Sequence, residues 1–258
     1  MPAINLTQNL RDEYQGLFDQ CQIKPEKLAE VENIISRITN DQSRYRNVET
    51  KLGIPWFFIA AIHNMESSLN FTRHLHNGDP LSSRTTHVPA GRPVSGNPPF
   101  TWEQSAEDSL KLQKLDRWND WRLAGVLYKI EEYNGWGYRG RHPEVLSPYL
   151  WSGSGHYIKG KYIADGRWSD TAVSNQIGAG VILRRMSEKG MINFVDATIP
   201  KKPILYYSSK ETEYGQELQI FLNKFPGIYL LTDGKPGQKT SDAFKIISGN
   251  YLYGDPRI

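Results

Sequence analysis

Cysteine is almost missing from this chain: Cys21 is the only one in 258 residues, which excludes an internal disulfide and a thiolate zinc cluster. Long apolar runs are missing as well. The best candidate, residues 56–62, falls far short of the roughly 18 apolar residues that identify a membrane helix, so no membrane insertion is expected. Neither sign of charge dominates, since 31 Lys+Arg against 28 Asp+Glu leave +3. That is too little for a dedicated nucleic-acid binder, yet compatible with an anionic polymer such as a cell wall. Residues 1–11 lack a basic start followed by an apolar stretch, so synthesis in a cytoplasm without an export signal is expected. No Gly-x4-Gly-Lys-Ser/Thr loop and no His-Glu-x-x-His helix occurs, and no cofactor or metal is expected. The chain is read as a monomer.

What is present points to a mainly α protein. Hydrophobic residues make up 38% and aromatic residues 12%, including seven Trp and 14 Tyr. Apolar positions at helical spacing predict helices over residues 6–23, 25–52, 55–69, 102–115 and 121–133, and a last long helix capped by Asp170 and running to Gly190. That last helix is expected to bury Val173, Ile177, Val181 and Met186. Residues 55–69 are apolar nearly all round and read as the buried central helix. Residues 72–100 carry five prolines and read as a long functional or mobile loop, and residues 156–163 around Gly160 suggest a β-hairpin. Periodicity fades over 196–213, where Pro200-Lys201-Lys202-Pro203 looks like a linker. The expected domains are therefore 1–195 and 214–258.

Glu66 is the sharpest candidate for chemistry. It lies four residues after Ile62, seven after Ile59 and eight after Phe58, so it continues an apolar helix face. Burial there favours the neutral carboxyl, which can donate a proton near neutral pH; the alternative is a frayed helix end with Glu66 solvated beside Ser67 and Ser68. Asp79 follows 13 residues later and is either a water-activating base or the turn residue of Asn-Gly-Asp-Pro. His74, His76, Asp79 and His87 have the residue types of a zinc site but not its spacing. Trp136, Tyr138, Tyr149, Trp151, Tyr157, Tyr162 and Trp168, with Arg139, Arg141, His156 and Asp165 among them, suggest a sugar-lined wall.

The string Ala61-Ile62-His63-Asn64-Met65-Glu66-Ser67-Ser68 resembles the glutamate-bearing helix end of the lysozyme-like superfamily, and Glu131-Glu132-Tyr133-Asn134-Gly135 resembles the helix end that faces it. The motifs cover about a fifth of the larger domain, and the Gly-Leu-Met-Gln segment usual between them is absent. The resemblance implies a helical domain with a small hairpin in which Glu66 is the acid. Tyr133 would contact the reacting sugar or the acid, and Asn134 would shape the groove floor. His74, His76, Trp136, Tyr138, Tyr149, Trp151 and His156 are the expected sugar contacts.

A second resemblance covers nearly all of residues 214–255. Gln216-Glu217-Leu218-Gln219, then Asp233-Gly234-Lys235-Pro236-Gly237-Gln238-Lys239-Thr240 and an apolar helix, are similar to the small three-helix peptidoglycan-binding domain. It implies that Asp233, Gly234, Gly237 and Thr240 serve wall binding, with Thr240 capping the following helix. Together the resemblances imply a muramidase acting on bacterial peptidoglycan, like a modular phage endolysin that reaches the wall through a permeabilised membrane. The rivals are a lytic transglycosylase, a zinc-dependent wall peptidase or amidase, and a non-catalytic wall-binding protein.

Overall fold

The computed structural model describes residues 4–164, 166–194 and 203–258, and the chain divides into two compact units, Met1–Val195 and Asp196–Ile258. Asp165 and Pro200-Lys201-Lys202 of the expected linker lie outside the described residues. The described chain is mainly helical, with one two-stranded antiparallel hairpin. No described helix is long and apolar enough to cross a membrane.

The larger unit is built around α4 (Trp56–Ser67), whose residues are all buried except Glu66. Pro55 precedes it without a side-chain cap of its own. Glu49 Oε1 accepts the Trp56 N–H instead, at 3.1 Å, satisfying one of the orphan donors of the first turn. Around α4 pack α3 (Gln42–Leu52), α6 (Leu123–Asn134) and α9 (Ala179–Glu188). Outside these, α1 (Gln8–Asp19) lies on α6, α2 (Leu28–Asn40) and α8 (Pro148–Trp151) lie on α9, and α5 (Trp102–Leu112) lies on α3. A five-residue helix, α7 (Gly137–Arg141), follows α6. The Thr101 hydroxyl and Gln104 side chain close a capping box that fixes where α5 begins.

Several sequence expectations shift. The segment expected over 25–52 is a 3-10 turn plus two helices, α2 and α3, broken at Asp41. The hairpin forms several residues later than expected, as β1 (Lys161–Ala164) and β2 (Arg167–Ser169); the Gly160 N–H donates to the Ala172 carbonyl rather than making the turn. Asp170 caps no helix; its carboxylate accepts the Trp168 indole N–H at 2.6 Å. The last helix of the unit starts only after Gly178, which leaves Val173 exposed while Ile177, Val181 and Met186 are buried as expected.

The smaller unit contains two α-helices among its described residues, not three: α10 (Gly215–Leu222) and α11 (Gln238–Ser248). Leu218, Leu222, Ile228, Ala243 and Leu252 form its core. Phe221 and Ile247, although apolar and helical, are exposed.

Candidate active site

Glu66 sits in the last turn of α4, where the helix leaves its apolar packing and meets a cleft of about 700 Å³. Burial pushes its carboxyl up to about 7, although one hydrogen bond pulls the other way. That bond comes from Tyr149 on α8, whose hydroxyl donates to Glu66 Oε1 at 2.7 Å. Tyr133, at the end of α6, donates to the Leu75 carbonyl at 3.2 Å and takes a bond from Ser109 Oγ at 2.8 Å. Burial, with the Glu66 charge second, raises the Tyr133 phenol well above its usual range and keeps it neutral. Beyond Glu66 the chain turns sharply, with Ser68 and Leu69 both left-handed at φ 52° and 58°. Gln176 clasps this helix end, its amide donating to the Asn64 and Met65 carbonyls at 3.2 and 2.9 Å.

The cleft wall includes Arg37, Asn70, Arg73, Asn77 and Gly78. On the other side of the Glu66–Tyr149 contact, Met65, Asn134, Tyr138, Tyr149, Lys161 and Gln176 bound a depression of about 140 Å³. Asn134 and Tyr138 also border a trough of about 600 Å³ that reaches Trp136, Arg141 and Tyr162. Asn134 and Tyr138 join the depression to the aromatic trough, and the Tyr149–Glu66 hydrogen bond links the depression's lining to that of the arginine-bearing cleft.

Of the expected site residues, the structure places Glu66, Tyr149, Asn134, Trp136 and Tyr138 on the linings of these hollows, with Tyr133 near enough to Glu66 for its charge to act on the phenol. Others are used up by the fold. Asp79 resists charge through burial, but bonds from the His87 N–H, the His87 imidazole and the Thr86 N–H outweigh this and hold it well below the usual carboxylate range. The Thr86 N–H and His87 N–H reach Oδ2 at 2.7 and 3.0 Å and the imidazole reaches Oδ1 at 2.7 Å. A carboxylate so stabilised has little basicity with which to activate water.

His74, fully buried, lies between Ser105 Oγ and the Ser83 carbonyl, each at 2.8 Å. His76 contacts Asp108 on α5 at 2.8 Å, and Arg92 grips the same carboxylate through two bonds. These contacts staple the proline-rich loop to α5 and leave neither histidine a free face for a sugar. Trp151 is 1% exposed and belongs to the core. His156 turns its Nε2 to the Leu17 carbonyl at 2.7 Å. Among the described residues no three His, Cys, Asp or Glu side chains gather as a metal-ligand set.

In the smaller unit two of the four expected wall-binding residues, Gly234 and Thr240, turn inward, while Asp233 is exposed and Gly237 half-buried. Gln219, 2% exposed, donates to Asp233 Oδ1 at 2.9 Å and to Thr240 Oγ1 at 3.3 Å, and accepts the Gly234 N–H at 2.8 Å. Gly237, not Thr240, is the residue at the N-terminal cap of α11. Gly234 and Thr240 are buried, so they shape the loop without offering surface to a polymer. The exposed rings and aliphatics of this unit include Tyr229 and Leu231.

Arg37, Arg73, Ser109 and Gln176 were not singled out by sequence, and no local signal marks them, because each reaches the site from a different element. Searches of family models, curated proteins and solved structures found no match for this chain.

Proposed function

We propose that the chain is a peptidoglycan-cleaving glycosidase, its larger unit a lysozyme-like domain and its smaller unit a module that holds the wall. The observation that carries this reading is a carboxyl kept protonated to about pH 7 at the edge of an open cleft. Glu66 donates its proton to the oxygen linking N-acetylmuramic acid to N-acetylglucosamine. The C–O bond breaks and positive charge develops at the sugar's anomeric centre. Tyr149 holds the carboxyl in place. Tethering by the smaller unit raises the local concentration of the acid near its substrate.

Two routes complete the reaction. Hydrolysis needs a second carboxylate to deprotonate water, and Asp79, fully engaged by Thr86 and His87, is poorly suited. In the other route the ionised Glu66 takes the proton from the C6 hydroxyl of the muramic acid, whose oxygen then attacks the anomeric carbon. That closes a 1,6-anhydro ring and returns Glu66 to its starting form. The state of Asp79 favours this transglycosylase route.

The test is digestion of purified sacculi with mass spectrometry of the new chain ends. Glu66→Gln is expected to lower the rate by about 10²–10⁴-fold, the usual worth of a general acid. Asp79→Asn is expected to retain turnover and anhydro ends. Unchanged cleavage by Glu66→Gln would end the proposal, and reducing ends that disappear in Asp79→Asn would restore hydrolysis with Asp79 as base.

A further inference from the structure

We infer that Arg37 and Arg73 form a carboxylate-recognition pair which selects glycan strands bearing free-acid peptide branches over neutral chitin-like strands. The inference rests on the glycosidase reading and names what that site prefers.

Both arginines border the cleft that contains Glu66. They arrive from separate elements, Arg37 from α2 and Arg73 from the loop after α4. Each is anchored by a backbone carbonyl at the edge of the site. Arg37 Nη2 donates to the Ser68 carbonyl at 2.8 Å, and Arg73 Nη1 donates to the Gly78 carbonyl at 2.7 Å. Those two carbonyls flank Glu66 closely: Ser68 follows it by two residues, and a Cβ on Gly78 would lie 3.2 Å from the Glu66 carbonyl. The anchoring bonds fix where the guanidinium groups sit and leave most of their five N–H donors unused.

Neither arginine forms an ion pair among the described residues, whereas Arg44, Arg92, Arg139 and Arg185 of the same unit each hold a carboxylate. Both side chains are on exposed residues. Glu66 is the one carboxylate among the named lining residues, and it is mostly neutral below pH 7. The cleft therefore presents two uncompensated positive charges.

A chain of N-acetylglucosamine alone supplies hydroxyl and acetamide groups and gives a planar, charged fork nothing to pair with. A carboxylate matches it with two parallel N–H···O bonds. Peptide branches on alternate sugars of peptidoglycan carry such carboxylates beside the cleaved linkage. Amidation of those acids removes the charge while keeping the shape, which makes the amidated branch the matched control.

The experiment uses the full chain carrying Glu66→Gln, so that binding is read without turnover. It is titrated calorimetrically at low and moderate salt with three ligands of equal sugar length: a free-acid muropeptide, the same muropeptide amidated, and a chito-oligosaccharide. The free-acid ligand is expected to bind at least about tenfold tighter than the other two, with the preference shrinking as salt rises. Adding Arg37→Gln and Arg73→Gln is expected to bring the free-acid affinity down to that of the amidated ligand. The Lys pair at the same positions keeps the charge without the fork and should fall between.

Circular dichroism confirms that each variant is folded; if the Gln pair does not fold, the Lys pair carries the test. Equal affinity for free-acid and amidated ligands, or a preference that survives the Gln pair, overturns the inference. If selective binding is found but the unmutated chain cleaves none of the three ligands, the glycosidase reading fails and the arginine pair stands.

Discussion

The last turn of α4 and the loop leading into α11 both set polar groups against an apolar helix, and they use those groups in opposite ways. In the loop, Asp233, Gly234 and Thr240 each bond one buried side chain, Gln219, and Asp233 Oδ1 also accepts the Lys235 N–H. At the helix end, Glu66 has Tyr149 as its one hydrogen-bonding side chain among the described residues and otherwise meets a cleft. A polar group saturated by the protein stabilises a turn, and one left short of partners at a surface hollow is free for a ligand. Asp79 belongs with the loop in this respect, although it stands in the same unit as Glu66.

The comparison predicts that Glu66 costs stability and Gln219 supplies it. Below about pH 4.5 the carboxyl is neutral whether the chain is folded or not. Between that value and about 7 the unfolded chain ionises while the folded one keeps its proton, so stability falls as pH rises and then levels off. The full penalty is up to about 3 kcal/mol. Glu66→Gln should therefore exceed the unmutated chain in stability at pH 8 by up to that amount, with the gap closing near pH 4. All seven tryptophans lie within residues 56–168, so tryptophan-monitored urea unfolding reports the larger unit alone. A gap that does not change with pH would mean a solvated carboxyl and would erase the contrast with the loop.

Gln219→Ala should act in the other direction and somewhat less strongly. It leaves the buried Gly234 N–H and the Thr240 hydroxyl without their partner, a loss of about 2 kcal/mol. The smaller unit has no tryptophan, so amide exchange is the suitable measurement. Exchange at Gly234 and through α11 should accelerate by roughly 30-fold if opening of the unit limits it, while the tryptophan-monitored transition stays in place. Protection that is unchanged would show that Gln219 is dispensable and that the loop groups are not committed to the fold.

Glu66 was legible in sequence because one period, 3.6 residues, decides whether a side chain continues an apolar face. The buried α4 follows from the same count. The start of α5 near Trp102 was legible from apolar spacing, and the structure adds the Thr101–Gln104 capping box that fixes it. For Asp79 the sequence left base and turn residue both open, because its distance from Glu66 along the chain says nothing about donors. Those come from Thr86 and His87, brought round by a loop that His76 and Arg92 tie to Asp108. Trp151 looked available among the aromatic residues of 136–168, yet two glycines further along the chain let it be buried. A Cβ on Gly178 would lie 2.4 Å from the Leu150 carbonyl, and one on Gly180 would lie 3.2 Å from the Trp151 ring. Gly178 and Gly180 let α8 and α9 close on each other, and that approach is a tertiary fact with no local period.

The smallest predicted effect sharpens the contrast at the backbone. The loop places a glycine at its left-handed position, Gly234 with φ 72°, whereas the end of α4 uses Ser68 with φ 52°. A non-glycine residue there carries roughly 1 kcal/mol of steric cost. Ser68 nevertheless closes the helix, its N–H reaching the Asn64 carbonyl at 3.1 Å while its own carbonyl anchors Arg37. Glycine keeps both backbone contacts and relieves the crowding, at the expense of a more flexible unfolded chain. Ser68→Gly should therefore raise the stability of the larger unit by about 0.5 kcal/mol in tryptophan-monitored unfolding. Because it loosens the segment that holds Glu66 and Arg37 in register, sacculus cleavage should fall by a few fold. A variant that gains stability with full cleavage would show that the turn serves the fold alone, as the loop's glycine does.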